Sequence, residues 1–158
     1  MVAENDDDGI MFRDSRLSFT PVSGRTYVFR ASTYVAGATG DYRIMVAPGV
    51  VVKGGSYSGT LEGRDGKHPT RPGKFADDLL LVPLSSGNVT IQLNGAGFDT
   101  YMEVLDENTG ISLGVNDDCY GGTPNSCLTL NATDHLPLVI RVSSYGAQVT
   151  GNYTVTVN

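Results

Sequence analysis

The stretch FDTYMEVLDENTGISLGVNDD, residues 98–118, shows the pattern that decides the fold. Apolar and polar side chains alternate over residues 100–105 and again over 111–115, which is the period of a β-strand with one buried face. A polar connection that contains Gly110 joins the two segments, as is typical of turns between short strands. The stretch therefore predicts two strands followed by an acidic Asn-Asp-Asp turn.

The same alternation recurs along most of the chain and predicts short strands with almost no helix. Twenty glycines and eight tyrosines fit an all-β protein with tight turns. In the N-terminal third the predicted strands are 15–20, 26–33 and 40–46. In the remainder they are 56–61, 79–84, 88–94, 100–105, 111–115, 126–130, 136–143 and 151–157, and 62–76 is predicted to be a polar loop. Strands at this spacing predict an antiparallel β-sandwich of the jelly-roll or immunoglobulin-like kind.

An internal repeat relates the two ends of the chain. A shift by 111 positions, from 5 to 116, places the triplet Asn-Asp-Asp at 5–7 on the same triplet at 116–118 and continues without a gap. Such a period equals the length of one domain. Residues 48–158 are therefore predicted to form one complete β-sandwich domain, and residues 1–47 the C-terminal half of a second.

Half a sandwich cannot bury its sheet. Its apolar residues are expected on an open sheet whose unpaired edges accept another strand; they are Leu17, Phe19, Tyr27, Phe29, Tyr42 and Ile44. We therefore expect copies of the chain to associate head to tail through residues 1–47, as a homo-oligomer or a filament. The alternatives are that the sequence is part of a longer tandem array, or that these strands pack on their own domain.

Charge and motifs argue against several functional classes. The net charge of −6 disfavours nucleic acid as a partner, and no apolar run reaches the ~20 residues needed for membrane insertion. The first nine residues also lack the features of a signal peptide. The only histidines, His68 and His135, lie in no nucleophile motif and are predicted to be surface residues without a role. We therefore predict that the protein is not an enzyme.

The two cysteines, Cys119 and Cys127, flank the segment YGGTPNS. Their spacing is not that of a redox pair, and no further cysteine or histidine completes a zinc site. A disulfide is favoured over free thiols because two glycines and a proline let the loop fold back, and it would imply an oxidising compartment. Asp8 and Arg16 occupy the equivalent positions near the N-terminus, so the cross-link belongs to one copy only.

Six aspartates are candidate ligands for calcium, which prefers carboxylate and carbonyl oxygens. They are expected at neighbouring strand ends and are Asp77, Asp78, Asp99, Asp106, Asp117 and Asp118. The alternative is that these side chains cap turns by bonding to their own backbone.

Three triplets have the acceptor pattern for N-glycosylation. They begin at Asn88, Asn131 and Asn152. Strands rich in threonine also produce such triplets by chance, so occupancy does not follow from the pattern alone.

Taken together, these segments resemble the bacterial pre-peptidase C-terminal domain. The matching elements are Ser58-Gly59-x-Leu61, the pair Asp77-Asp78, the hairpin with Asp99, Tyr101, Asp106 and Gly110, the triplet 116–118, and the closing strand with Gly151, Tyr153 and Val157. The resemblance covers residues 55–157 and, in its second half only, residues 4–46.

The resemblance implies a secreted or surface-exposed, non-catalytic β-sandwich. Domains of this family usually accompany extracellular hydrolases or belong to surface proteins, and some related modules bind calcium or polymeric substrates. These 158 residues include no hydrolase, so a role as an enzyme's accessory would have no enzyme to assist in this chain. A separate alternative is an accessory binding module for polysaccharide or protein fibres, for which an exposed row of aromatic residues is expected. The candidates are Tyr34, Tyr57, Tyr101, Tyr120 and Tyr145, although the lack of tryptophan argues against a carbohydrate platform.

Overall fold

The computed structural model describes residues 3–6, 15–42, 44 and 46–158. The chain divides into two compact units, Met1–Met45 and Val46–Asn158. Among the described residues there is no helix that is long and apolar enough to span a membrane.

The first unit forms no strand in its described part. The predicted strands 15–20 and 26–33 are therefore wrong, and so is 40–46 where it is described; Arg43 and Met45 lie outside the described residues. A strand requires a neighbour that pairs with its N–H and C=O groups, and no such pairing exists among the described residues of the first unit. The aromatic rings of Phe19, Tyr27 and Phe29 still cluster, with centroids of Phe19 and Tyr27 4.9 Å apart.

The second unit consists of ten strands. They are β1 (Val50–Val51), β2 (Ser56–Leu61), β3 (Gly66–Lys67), β4 (Phe75–Leu81), β5 (Gly87–Gly95), β6 (Thr100–Asp106), β7 (Ser112–Asn116), β8 (Ser126–Ala132), β9 (Leu138–Ser144) and β10 (Gly151–Val157). The predicted strand 79–84 starts earlier and ends earlier than expected. Pro83 cannot donate to a ladder, so it stops the strand, while Asp77 and Asp78 extend it by pairing with β9.

Two sheets stack to form the sandwich, as predicted. Sheet A has the order β1-β4-β9-β6-β7, with β3 paired to β4, and sheet B has the order β2-β10-β5-β8. All pairs are antiparallel except β1 with β4. The fold class of an all-β antiparallel sandwich is confirmed.

Alternating residues of both sheets form one hydrophobic core. Its fully buried members in sheet A are Leu79, Leu81, Met102, Val104, Ile140 and Val142, and those in sheet B are Leu61, Ile91, Leu93, Val155 and Val157. The remaining positions of each strand face outward, so each sheet presents one outer face on which functional side chains can lie.

Close packing at Gly95 leads to the first prediction. A Cβ atom there would lie 2.6 Å from the backbone oxygen of Phe98 and 2.8 Å from Cγ2 of Thr100. Because backbone cannot move aside cheaply, Gly95→Ala should lower the free energy of unfolding by about 1–3 kcal/mol in urea denaturation. Gly63→Ala is the control, since its Cβ would lie 3.7 Å from Phe75. Equal stability of the two variants would contradict the packing described here.

Candidate functional site

The structure does not bring the six candidate calcium ligands together. Asp99, Asp117 and Asp118 lie near one end of β6, whereas Asp106 ends the same strand. Seven residues of extended chain separate Asp99 from Asp106, roughly 23 Å. Among the described residues, no three or more histidine, cysteine, aspartate or glutamate side chains are grouped so that they could hold a metal ion.

Three of the aspartates have structural partners. Oδ1 of Asp106 accepts hydrogen bonds from the backbone N–H and the hydroxyl of Thr109, at 2.7 and 2.8 Å, and so caps the turn after β6. Oδ2 of Asp77 accepts from the hydroxyl of Tyr153 at 2.9 Å. Asp78 accepts two bonds from Arg141. Of these three, only Asp106 caps a turn of its own chain segment, as the alternative describes; Asp77 and Asp78 bond to side chains of other strands.

The remaining group, Asp99 with Asp117 and Asp118, concentrates negative charge. Desolvation raises the pKa of Asp99, and the charges of Asp118 and Asp117 raise it further. A cation at this end of sheet A would relieve that repulsion. Calcium binding stays a prediction: Asp99, Asp117 and Asp118 concentrate charge but do not by themselves form a group that could hold a metal ion, so a calcium ion there would need further oxygen ligands.

Asn5 and Asn116, the first residues of the two Asn-Asp-Asp triplets, accept equivalent hydrogen bonds. The side-chain oxygen of Asn116 accepts from the backbone N–H of Cys127 at 2.7 Å, and that of Asn5 accepts from the N–H of Arg16 at 3.3 Å. These pairs are related by a shift of 111 positions.

Two hydroxyl bonds recur at the same shift. Ser126 donates to the carbonyl of Asp117, as Ser15 does to that of Asp6. Ser144 likewise donates to the carbonyl of Gly146, as Thr33 does to that of Val35. The first unit thus retains the local turns of the repeat although it forms no sheet in its described part.

The structure contains the disulfide between Cys119 and Cys127. Their Cα atoms are 5.1 Å apart. The loop between them is closed further by a hydrogen bond from the N–H of Cys119 to the carbonyl of Asn125 at 2.6 Å. Within this loop the side chain of Tyr120 is 96% exposed. The cross-link therefore fixes a short loop that carries an exposed aromatic ring next to the edge strand β8.

A buried polar cluster lies on the outer face of sheet A. The guanidinium of Arg141 donates to both carboxylate oxygens of Asp78 at 2.8 Å and to Glu103 at 3.3 Å. Hydrogen bonding with Asp78 raises the pKa of Arg141, against the opposing effect of burial. We call Asp78, Glu103 and Arg141 the Arg141 cluster; its three residues come from adjacent strands β4, β6 and β9.

His68 lies against this cluster and is only 3% exposed. Its Nε2 is 3.6 Å from Oε2 of Glu103 and makes no hydrogen bond to any described residue. The prediction of a surface histidine is wrong at this position, because the loop between β3 and β4 folds over sheet A. Arg71 of the same loop stacks on Tyr101, 3.5 Å from the ring centroid. His135 is half-exposed beside Asp134.

The burial of His68 predicts a pH dependence of stability. Burial lowers its pKa, and the nearby carboxylate of Glu103 offsets this only in part. The unfolded chain therefore takes up a proton below about pH 6.5 before the folded protein does, and stability is lost as the pH falls. Urea unfolding at pH 7.5 and 5.0 should show a smaller acid-induced loss for His68→Gln than for the unmodified protein. His135→Gln, with its half-exposed ring, is the control. The same loss in all three proteins would contradict the account.

The three glycosylation acceptors share the outer face of sheet B. Asn88 on β5 and Asn131 on β8 are direct cross-strand partners, and both side chains are exposed. The side-chain oxygen of Asn152 on β10 accepts a hydrogen bond from the hydroxyl of Thr60 at 2.8 Å. Their placement leaves glycosylation a prediction.

The candidate tyrosines do not form one exposed row within the second unit. Tyr57 packs against the core beside Tyr153, with ring centroids 6.3 Å apart, and Tyr101 lies beneath Arg71. Tyr120 and Tyr145 are exposed. Tyr34, in the first unit, is also exposed.

Comparison with solved structures shows which known domains have a similar fold. The pre-peptidase C-terminal domain of a collagenase from Bacillus anthracis is 15% identical, with a TM-score of 0.53, over 73% of this chain and 100% of that domain. The chain has the fold of a pre-peptidase C-terminal domain. The resemblance drawn from the sequence motifs is thereby confirmed at the level of the fold.

A second solved structure is more distant. PliG of Aeromonas hydrophila, a periplasmic lysozyme inhibitor of g-type lysozyme, is 13% identical with a TM-score of 0.43, over 69% of this chain and 97% of that protein. No known family model matches the sequence, and no curated protein sequence matches it. The structural likeness therefore describes the fold and assigns no activity.

Proposed function

We propose that this chain is a non-catalytic extracellular structural protein that self-associates through its incomplete N-terminal repeat. The observation that carries the proposal is the large number of exposed apolar side chains in the first unit. They are Leu17, Val22, Val28, Phe29, Tyr34, Val35, Tyr42 and Ile44. Exposed apolar patches of this kind are typical of interaction surfaces.

The local turns of the first unit support the proposal. Hydrogen bonds at Asn5, Ser15 and Thr33 match those at the equivalent positions of the complete domain. The segment thus has the turns of the repeat and lacks only the ladder partners. A neighbouring copy that supplies a sheet edge would let residues 15–46 form strands by β-augmentation.

The complete domain offers a suitable acceptor edge. β7 is the last strand of sheet A and pairs on one side only with described residues. Its apolar side chains Leu113 and Val115 are about half exposed, and Ile111 beside them is more exposed. Charges that would protect such an edge are missing from β7 itself. A contact between the first unit of one copy and β7 of the next is heterologous, so repetition gives a filament.

Two further observations support an extracellular, non-catalytic protein. The disulfide between Cys119 and Cys127 suits an oxidising compartment. The titratable groups near sheet A have structural partners: Arg141 pairs with Asp78 and Glu103, and Arg71 of the loop between β3 and β4 donates to the carbonyl of Ser144 and stacks on Tyr101. Calcium at Asp99, Asp117 and Asp118 belongs to the proposal as a stabilising ligand; a rise in melting temperature with added CaCl2, lost in Asp117→Asn, would support it.

The second candidate function is an accessory binding module. One observation favours it and plays no part in the self-association proposal: the outer face of sheet B carries uncharged polar side chains. The experiment that separates the two candidates measures self-association and polymer binding on the same protein samples, because each candidate predicts only one of them.

A further inference from the structure

The outer face of sheet B is free of charged side chains at its strand positions. Thirteen residues point outward, three each on β2, β8 and β10 and four on β5. On β5 they are Asn88, Thr90, Gln92 and Asn94. On the other three strands they are serine, threonine, asparagine and the cross-linked Cys127. The whole face is therefore hydroxyl and amide in character.

Neither composition nor strand preference explains this face. The chain as a whole is 18% charged, so two or three charged side chains would be expected among thirteen positions. The net charge of the chain is −6, so acidic residues are not scarce. Asparagine is depleted in strands, yet Asn88, Asn94, Asn131 and Asn152 all occupy strand positions here. β2 and β8 are also sheet edges, which proteins commonly protect with charge.

The side chains of this face are arranged in ladders. Across β2 and β10 the hydroxyls of Ser58 and Thr154 lie 3.1 Å apart, and across β5 and β8 those of Thr90 and Thr129 lie 2.9 Å apart. Each hydroxyl has one donor and two acceptor positions, so a ladder contact leaves some of them open to a ligand. Rows repeat about every 6.7 Å along the strands and 4.8 Å across them.

A shallow groove crosses the face where β2, β10 and β5 meet. Its volume is ≈ 510 Å³, and its polar lining comes from Ser58, Thr60, Asn94, Asn152 and Thr154. The loop held by the disulfide carries exposed Tyr120 next to β8, at the opposite side of the same sheet.

We propose that this face binds an uncharged polysaccharide, with the groove between β2, β10 and β5 as its central contact. Sugar hydroxyls are donors and acceptors like the hydroxyl and amide groups of the face, and neither partner carries a charge that would have to be desolvated. Tyr120 supplies a ring for stacking on a sugar. The proposal rests on the accessory-module candidate and names its ligand class and its surface; it does not depend on self-association.

The surface chemistry separates this ligand from charged polymers. A polyanion or polycation would be matched by charged side chains at the contact, as complementarity requires, and the strand positions of this face provide none. Binding to an uncharged polysaccharide should therefore be insensitive to salt, because no charge pair at the contact can be screened.

The test uses the full chain produced without glycosylation and three insoluble neutral probes: cellulose, chitin and curdlan. Binding isotherms by depletion are compared for the unmodified protein, Ser58→Lys and Ser85→Lys. Ser58 lines the groove, whereas the exposed Ser85 lies in the loop between β4 and β5, outside both the groove and β7, so the same substitution serves as a matched control. Asn94→Asp adds a charge to the groove with almost no change in size and is used if Ser58→Lys fails to fold.

The expected result is retention on at least one probe, with an affinity at least tenfold weaker for Ser58→Lys and Asn94→Asp. The affinity should be unchanged for Ser85→Lys, and unchanged for the unmodified protein in about 0.5 M NaCl, which screens exposed charges. The proposal would be overturned if the protein bound none of the three probes. It would also be overturned if the groove variants and the control variant bound equally well. Sedimentation of the same samples reports self-association separately, so loss of one property is distinguishable from loss of the other.

Discussion

Replacing Arg141 with methionine is expected to lower the free energy of unfolding by about 3 kcal/mol. The guanidinium is largely buried between Asp78 and Glu103, and its removal leaves two carboxylates without their cation in a poorly solvated place. Methionine keeps most of the side-chain volume, so the loss reports on charge more than on packing. Urea denaturation at pH 7.5 measures it.

Two further variants define what that loss means. Arg64→Met removes an exposed ion pair with Glu62 and should cost less than about 1 kcal/mol. The triple variant Asp78→Leu, Glu103→Gln, Arg141→Met removes the whole Arg141 cluster and should recover much of the stability, because no unpaired charge remains. If Arg141→Met were as stable as Arg64→Met, the Arg141 cluster would not stabilise sheet A as described.

The sandwich could be predicted from the sequence because its strands are half-buried. Alternation of the kind seen in β5 and β10 reports one inward and one outward face, and both strands were predicted within one residue at each end. The sheet order could not be predicted in this way, since alternation says which face is buried and not which strand is the neighbour.

The errors have physical causes that a local pattern does not contain. The charged residues Asp78, Glu103 and Arg141 look like solvent-facing positions of their strands, and only pairing across three strands shows that they meet. His68 is buried because a loop distant from β6 in sequence covers the sheet. The sequence did contain a signal for this burial. Charged residues occur on β4, β6 and β9, the central strands of sheet A, so a segment that covers them could have been expected.

The candidate calcium site was predicted only in part. The sequence identified the acidic turns, but spacing cannot tell at which end of a strand each aspartate lies. Asp99 and Asp106 lie at opposite ends of β6. Asp117 and Asp118 follow β7, and because β7 runs antiparallel to β6, they lie at the same end of β6 as Asp99. The strand predictions in the first unit were wrong for a related reason. A strand forms only when another segment pairs with it, and the alternation of apolar and polar residues within one segment does not show whether such a partner exists.

Self-association should depend on the exposed apolar residues of the first unit. Val28 and Val35 are exposed in the free chain, and burial of each valine contributes about 1.5 kcal/mol or more. The double variant Val28→Lys, Val35→Lys should therefore weaken association about 100-fold. The matched control is the double variant Leu84→Lys, Leu136→Lys, because both residues are exposed apolar side chains of the second unit outside β7; it should leave association unchanged. Ile111→Arg alone, beside the proposed acceptor edge, should also weaken association if β7 is that edge.

Sedimentation velocity of the unmodified full chain over a wide concentration range tests the central claim most directly. The account predicts a sedimentation coefficient that rises with concentration, without a limiting dimer, as expected for a heterologous contact that does not close. A single monomeric species at every concentration would contradict it and would leave a chain whose exposed N-terminal apolar residues serve some purpose other than joining copies.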